Sequence, residues 1–378
     1  MNRWLSVLLL GLVAAGAACA GPPEKEEHQR LFIIGQDLGS VRDYVASDCC
    51  PQADGNTLYL NFYGLTSEEA DFGGLGIDLD GNPLDLEIDW GGGPANGWKS
   101  ATEMGGGLAI GLWMPENDYP DGLARIIAGE FDQNIRQLAR FFSMVDGPVY
   151  LRIGYEFDGG WNKGYEDSGK YVAAWRRIVD GLRAENADNV QFVWQSAAFP
   201  LDILKDGGYT DIRQWYPGDD YVDWLGVSMF MALDEGPVIE TDFQPPTARQ
   251  LIGKVLDLAR ERGKPVFIGE ASPQGYDLAS GTNANIQVTW DGPPGEDRRP
   301  VSPEEIWDEW FAPVFELLED NSDVIYALAY INCHWEAQEM WGPPYTEGRG
   351  YWGDTRLQAN PLLAKRFSEA IENWRALP

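Results

Sequence analysis

From residue 31 onward, short apolar runs rich in β-branched and aromatic residues alternate with longer stretches whose apolar positions recur every three or four residues. The first pattern fits buried strands and the second amphipathic helices, so the chain reads as repeated βα units around a parallel sheet. Strands are predicted at residues 31–36, 57–64, 108–115, 149–157, 190–197, 222–230, 265–272 and 324–335, and helices at 122–143, 170–185, 247–262, 303–319 and 361–375. Gly263-Lys264-Pro265 marks a helix stop running straight into a strand. Eight strands in this order predict an α/β fold, a (β/α)8 TIM barrel, as one domain spanning 31–378. Two Gly-rich connections, 66–107 after strand two and 275–300 after strand seven, exceed ordinary loop length. Both follow strands, so in a barrel they belong to the C-terminal rim where substrates bind.

The N-terminus departs from this pattern. Arg3 precedes an apolar run from Trp4 to Ala18, too short to cross a bilayer comfortably, and Gly21-Pro22-Pro23 then opens a charged stretch. Residues 1–20 therefore read as a secretory signal and 21–30 as a polar tether. Two cleavage readings stand: small-x-small cleavage at Ala18-Cys19-Ala20, or a lipoprotein signal with Cys19 as the lipidated residue. Either places the protein outside the cytoplasm, secreted, periplasmic or lipid-anchored at the outer surface.

Composition narrows the partners. With 28 Lys+Arg against 60 Asp+Glu the net charge is −32, which repels nucleic acid and anionic membranes and disfavours sulfated or uronic polymers. The 44% apolar content supports a large core, and sixteen Trp exceed what such a core requires, leaving flat faces for ligands. Beyond Cys19, only Cys49, Cys50 and Cys333 remain, an odd number without CxxC spacing. With two His in the chain no zinc site is expected, and no cofactor is called for. Asp78-Leu79-Asp80-Gly81-Asn82 spaces oxygens as a calcium loop would, but reads first as a hairpin turn.

Chemistry in such a barrel is carried at the C-terminal strand ends. Two of these end in Glu: Arg152-Ile153-Gly154-Tyr155-Glu156-Phe157-Asp158 on strand four and Gly269-Glu270-Ala271-Ser272 on strand seven. Strand alternation places Arg152, Gly154 and Glu156 on one face, with Arg152 a layer below Glu156. A partly desolvated carboxylate suits proton transfer, and a second one about 5–5.5 Å away can attack an anomeric carbon, the pairing that glycosidic cleavage with retention requires.

These strand positions, the Trp-rich rim and the Gly-Glu of strand seven resemble clan A glycoside hydrolases, and within that clan glycoside hydrolase family 26, the β-mannanase family. The family's strand-four motif, Arg-Pro-x-His-Glu-Met-Asn-Gly-x-Trp, is matched by Arg152, Glu156, Gly159 and Trp161. The resemblance implies that Glu156 is the acid/base and Glu270 the nucleophile, and Gln36 is similar to a Gly-Gln the family shows after strand one. Departures are Tyr155 where the family has His, Asp158 where it has Asn, and Phe230 where many clan members place a strand-six Tyr. Tyr155 could supply the hydroxyl that Phe230 lacks.

The remaining candidates sit at or past predicted strand ends: Trp113, Trp161, Trp194 and Trp335 as stacking faces, and Asn162, Gln195, Ser228, Asn332 and His334 as polar contacts. The expected function is a retaining, endo-acting hydrolase of a neutral β-glycan, mannan by default, with glucan or xylan as alternatives. The chain is expected to act as a monomer and without a metal. The rival reading is a carbohydrate-binding barrel that has lost catalysis.

Overall fold

The eight apolar runs form eight strands: β1 (Leu31–Gly35), β2 (Gly55–Asn61), β3 (Gly107–Trp113), β4 (Val149–Ile153), β5 (Val190–Ser196), β6 (Trp224–Met229), β7 (Val266–Ala271) and β8 (Ile325–Ile331). In this computed structural model, which describes residues 28–67, 73–200, 211–234, 245–284, 293–345 and 350–378, they pair in chain order, every ladder parallel. β8 closes on β1 from Leu31↔Ala327 to Gly35↔Ile331, making the (β/α)8 barrel that the hydrophobic pattern predicts. The signal segment and most of the tether lie outside the described residues.

Around it lie α1 (Leu38–Ser47), α2 (Gly122–Ala128), α3 (Asp132–Phe142), α4 (Ser168–Ala184), α5 (Ala248–Arg262), α6 (Ala312–Asp320) and α7 (Pro361–Arg375). Caps foreseeable from sequence set several boundaries. Thr247 and Gln250 form a reciprocal capping box at the start of α5, and left-handed Gly263 ends it. The single helix expected over 122–143 is two, because Gly129 at φ +85° closes α2 by donating to Arg125 and Ile126 carbonyls. The one expected over 303–319 is interrupted by a wide turn at Trp307–Phe311, next to Pro313, which has no N–H to continue an α-helical ladder.

The barrel interior is plugged at its lower end by Ile33, Ala109, Tyr150, Val193, Trp224, Phe267, Ala327 and Ala329. Leu108, Ile110, Leu151, Ile153, Val227 and Ile268 face the helices instead, as period-two alternation requires. Both long insertions are found at the rim. The first carries a short ladder of Ile88–Asp89 with Pro94–Ala95 and the turn at Asp78, whose carboxylate accepts from Asp80 N, Asn82 N and Asn82 Nδ2. That is the hairpin reading, although its strands shrink to one bridge, Ile77↔Pro83. The second holds a three-stranded ladder of Tyr276–Asp277, Thr282–Asn283 and Arg299–Pro300. β8 ends at Ile331, short of the expected residue 335, and a third rim loop follows it that supplies Gln338, Trp341 and Trp352. Cys49, Cys50 and Cys333 are unpaired thiols.

Candidate active site

Arg152 is the foundation of the site. Projecting inward from β4, it is fully buried, and its Nη1 donates both to Glu270 Oε1 at 2.5 Å and to Gln195 Oε1 at 3.1 Å. Room for it comes from Gly111 on β3: a Cβ there would lie 2.6 Å from the Tyr59 ring and 3.1 Å from Arg152 Nη2. The Arg152 guanidinium carbon stands 5.1 Å from the Tyr59 ring centre and 5.3 Å from that of Tyr155.

Glu270 reaches the interior through a backbone irregularity. Simple alternation from the inward Phe267 would send residue 269 inward and 270 outward. The register with β6 instead slips between Val227↔Ile268 and Ser228↔Glu270, inserting Gly269 as an extra residue and rotating Glu270 into the barrel. Only glycine fits at the slip, because a Cβ would lie 2.4 Å from Gln195 Oε1. Glu270 Oε1 takes the Arg152 bond and a 3.5 Å contact from Gln195 Nε2, leaving Oε2 as the oxygen without a protein donor among the described residues.

Glu156 is placed by a turn, which corrects the alternation argument. β4 ends at Ile153; Gly154 follows at φ +49° and Glu156 itself at φ +55°. A Cβ on Gly154 would meet Met114, Tyr171 and Tyr165, on the helix side, so Gly154 does not share the face of Arg152. Left-handed backbone at a glutamate costs on the order of 1–3 kcal/mol, sustained here by hydrogen bonds from Glu156 N to Gln195 O and from Asn162 Nδ2 to Glu156 O, both 2.9 Å. The carboxyl is buried, and Ser228 Oγ donates to its Oε1 at 2.6 Å. Burial, then the negative charge of Glu270, hold its pKa well above the ordinary glutamate value, against the smaller opposing effects of Ser228 and Arg152. Gln195 Nε2 also donates to Ser228 Oγ, so a hydrogen-bonded chain runs from one carboxylate to the other.

The two carboxylates are thus chemically unequal. Both are buried, but one is held by its arginine and keeps an oxygen without a donor among the described residues, while the other has a raised pKa that favours its protonated form to higher pH. Tyr155, which follows Gly154, sits beside both, and after burial the charges of Glu270 and then Glu156 dominate its hydroxyl and push its pKa up.

Other expected contacts divide. Trp161 is 41% exposed, with its indole edge against Phe199 and its carbonyl tied to Asn117 Nδ2, an open stacking face. Trp113 is half-buried against Tyr63 and Tyr119. Trp335 is buried, its Nε1 donating to Thr355 Oγ1, and it forms an aromatic wall with Phe230, Trp341 and Trp352. Gln36 bonds Gln338 at 3.3 Å and Gly92 O at 3.5 Å, joining the rim loops after β2 and β8.

Four residues serve the scaffold instead of an open cleft. Trp194 is fully buried facing the helices, stacked on Phe157 at 4.5 Å with Nε1 on Trp215 O; its neighbours Val193 and Gln195 point inward, and alternation forbids all three sharing a face. Asn332 bonds Leu357 N and Gln358, binding the end of β8 to the segment before α7. Asp158 accepts from Ser196 Oγ and Ala197 N, fastening the turn after β4 to the end of β5. Asn162 is spent on the Glu156 carbonyl. His334 sits 3.4 Å from Arg356 Nη2, in a cluster with Asp354. Tyr59, not singled out from sequence, lies against Arg152, and the alternation that turned Arg152 inward also turns Tyr59 inward from β2.

A closed parallel barrel bearing, at its C-terminal end, an arginine-held carboxylate and a second buried carboxyl with a raised pKa is the arrangement that an O-glycosyl hydrolase requires. Residues 117–264 match the model of glycosyl hydrolase family 26. The chain is 32% identical over 375 residues to a β-1,3-xylanase TXYA of a Vibrio species, covering 99% of this chain and 71% of the relative. It is 31% identical, over 99% of this chain and 70% of the relative, to a β-1,3-xylanase of an Alcaligenes species. The catalytic domain of a family 26 endo-β-1,4-mannanase from Bacillus sp. JAMB-750 superposes with a TM-score of 0.50 at 16% identity, over 92% of this chain and 90% of that one, and shares the fold. The chain belongs to glycosyl hydrolase family 26.

Proposed function

We propose that the protein is an endo-acting, retaining hydrolase of a neutral β-linked xylan, with the β-1,3 linkage as the preferred one. The inequality of the two buried carboxylates carries the mechanism. Glu156, held protonated, gives its proton to the departing glycosidic oxygen while Glu270 Oε2 attacks the anomeric carbon and forms a glycosyl ester. Glu156, now a carboxylate, takes a proton from water, whose oxygen displaces Glu270 and restores both groups. Each of two inversions at the same carbon cancels the other. Arg152 and Gln195 fix Oε1 and so leave Oε2 directed at the sugar.

The choice of xylan over the mannan that the strand-four motif suggests rests on relatives spanning nearly the whole chain. Trp161 and the rim loops suit a cleft that holds several sugar units, hence internal cleavage. Incubation with β-1,3-xylan, β-1,4-xylan, β-mannan and β-1,3-glucan, with products sized by chromatography, tests the proposal: oligomers from β-1,3-xylan are expected, and release from mannan alone refutes it. Glu270→Ala should abolish release, and added azide should restore turnover as a glycosyl azide of inverted configuration. We further place the protein outside the cytoplasm, as a monomer freed by cleavage or lipidated at Cys19; the mass of the mature N-terminus discriminates between these.

A further inference from the structure

Tyr59 is the tyrosine of β2, its ring enters the catalytic layer, and its hydroxyl is buried beside the Arg152 guanidinium, close enough for the two to act on each other yet in no well-aligned hydrogen bond among the described residues. A polar group in a dry site without a well-made hydrogen bond is costly, so one held beside the reacting carboxylate calls for a reason. Two atoms of Arg152, Nε and Nη2, are likewise buried and in no well-aligned bond among the described residues. The ring fills the space that Gly111 leaves open, with its centre 5.1 Å from the Arg152 guanidinium and 5.5 Å from the edge-on Tyr155 ring. Charged or titratable groups acting on its hydroxyl are Glu270 from β7, then Arg152 from β4 and Tyr155 from the turn after β4. Burial followed by Glu270 pushes its pKa well up, so it stays a neutral phenol able to donate and accept at once.

We infer that Tyr59 is a positioning residue for the nucleophile, its hydroxyl oxygen accepting from Arg152 and its proton serving the Glu270 carboxylate as the reaction proceeds. The need arises from charge. When Glu270 becomes an ester it loses its negative charge, and the buried Arg152 cation loses the acceptor that compensated it. A hydroxyl at that edge offers a replacement acceptor at that moment, and its O–H, never leaving the phenol, donates again to Glu270 when the carboxylate is regenerated. Position β2 thereby does from the opposite wall what Phe230, having no hydroxyl, does not do from β6.

The inference rests on Glu270 as nucleophile, and the two fail separately, since azide rescue of Glu270→Ala tests that role without touching Tyr59. The experiment is Tyr59→Phe in the full chain, which keeps the ring against Gly111 and Tyr155. Loss of one hydrogen bond to a charged group predicts kcat reduced by about tenfold or more with KM changed less than about threefold, and the acid limb of the kcat/KM profile moved to higher pH. A normalised pH profile does not depend on the folded fraction, so the limb remains readable if the variant is less stable. An unshifted limb with kcat within about twofold of the parent overturns the proposal. A fall in kcat with an unshifted limb also overturns it, because that is what loosened packing alone would give.

Discussion

Replacing Arg152 by Met deletes the cation beneath Glu270 while keeping most of its volume. Arg152 and Glu270 side chains are 0% and 8% exposed and meet at 2.5 Å, so this is an interior pair and not the surface kind, worth about 0–1 kcal/mol. Breaking an interior pair by removing one partner costs about 3–5 kcal/mol, because a buried charge is left uncompensated. Since about 1.4 kcal/mol is a factor of ten, the unfolded fraction should rise roughly 10²- to 10⁴-fold. The double variant Arg152→Met/Glu270→Met should recover most of this loss, an apolar pair of similar volume being about neutral to stabilising. Urea unfolding followed by tryptophan fluorescence measures all corners of the cycle at constant m-value. Arg152→Met losing less than about 1 kcal/mol, or a double variant no more stable than that single one, would refute the claim that the nucleophile is held in a dry ion pair.

Glu156→Gln should abolish hydrolysis of polysaccharide while sparing the first step on substrates whose leaving group needs no proton, read as a burst of released chromophore. Because the folded-state pKa of Glu156 is raised, the unfolded chain releases this proton first as pH climbs past the ordinary value of 4.5, and folding loses stability above it. The Gln variant should therefore melt higher than the parent near neutral pH and at the same temperature well below 4.5, as scanning calorimetry at several pH values would show. The same shift places the basic limb of the activity profile above the ordinary carboxylate range. Gly269→Ala should cost about 1–3 kcal/mol and most of kcat, since its Cβ would press on a Gln195 amide pinned by Arg152 and Ser228; melting temperature and kcat together check it.

The sequence by itself determined the barrel and the two carboxylates. Strand positions were legible because buried parallel strands are short, apolar and β-branched, and their boundaries came within a few residues of β1 to β8. Glu156 and Glu270 were legible because each ends such a run, and chemistry in this fold gathers at those ends. Arg152 was readable as an interior residue one layer below by strand alternation, and Gln195 as a polar contact at the end of strand five. The residues that serve the scaffold do so through more than one strand: Trp194, a candidate stacking face, lies between two inward residues and so faces the helices, Asn332 and Asp158 spend their hydrogen bonds on groups 25 to 39 residues away in the chain, and Asn162 spends its own on the backbone of the turn that carries Glu156.

Tertiary structure alone decided how the two carboxylates face one another. The extra residue at Gly269 and the left-handed turn at Glu156 are local violations of periodicity, tolerated because neighbouring strands pay for them in hydrogen bonds. No single-strand pattern contains that compensation. Tyr59, Ser228 and Gln195 come from three strands far apart in sequence, and only barrel closure makes them one electrostatic environment. The raised pKa of Glu156 is likewise a property of that environment, set by burial and by a charge more than a hundred residues away in the chain, which is why composition and motif could name the residue but not its electrostatics.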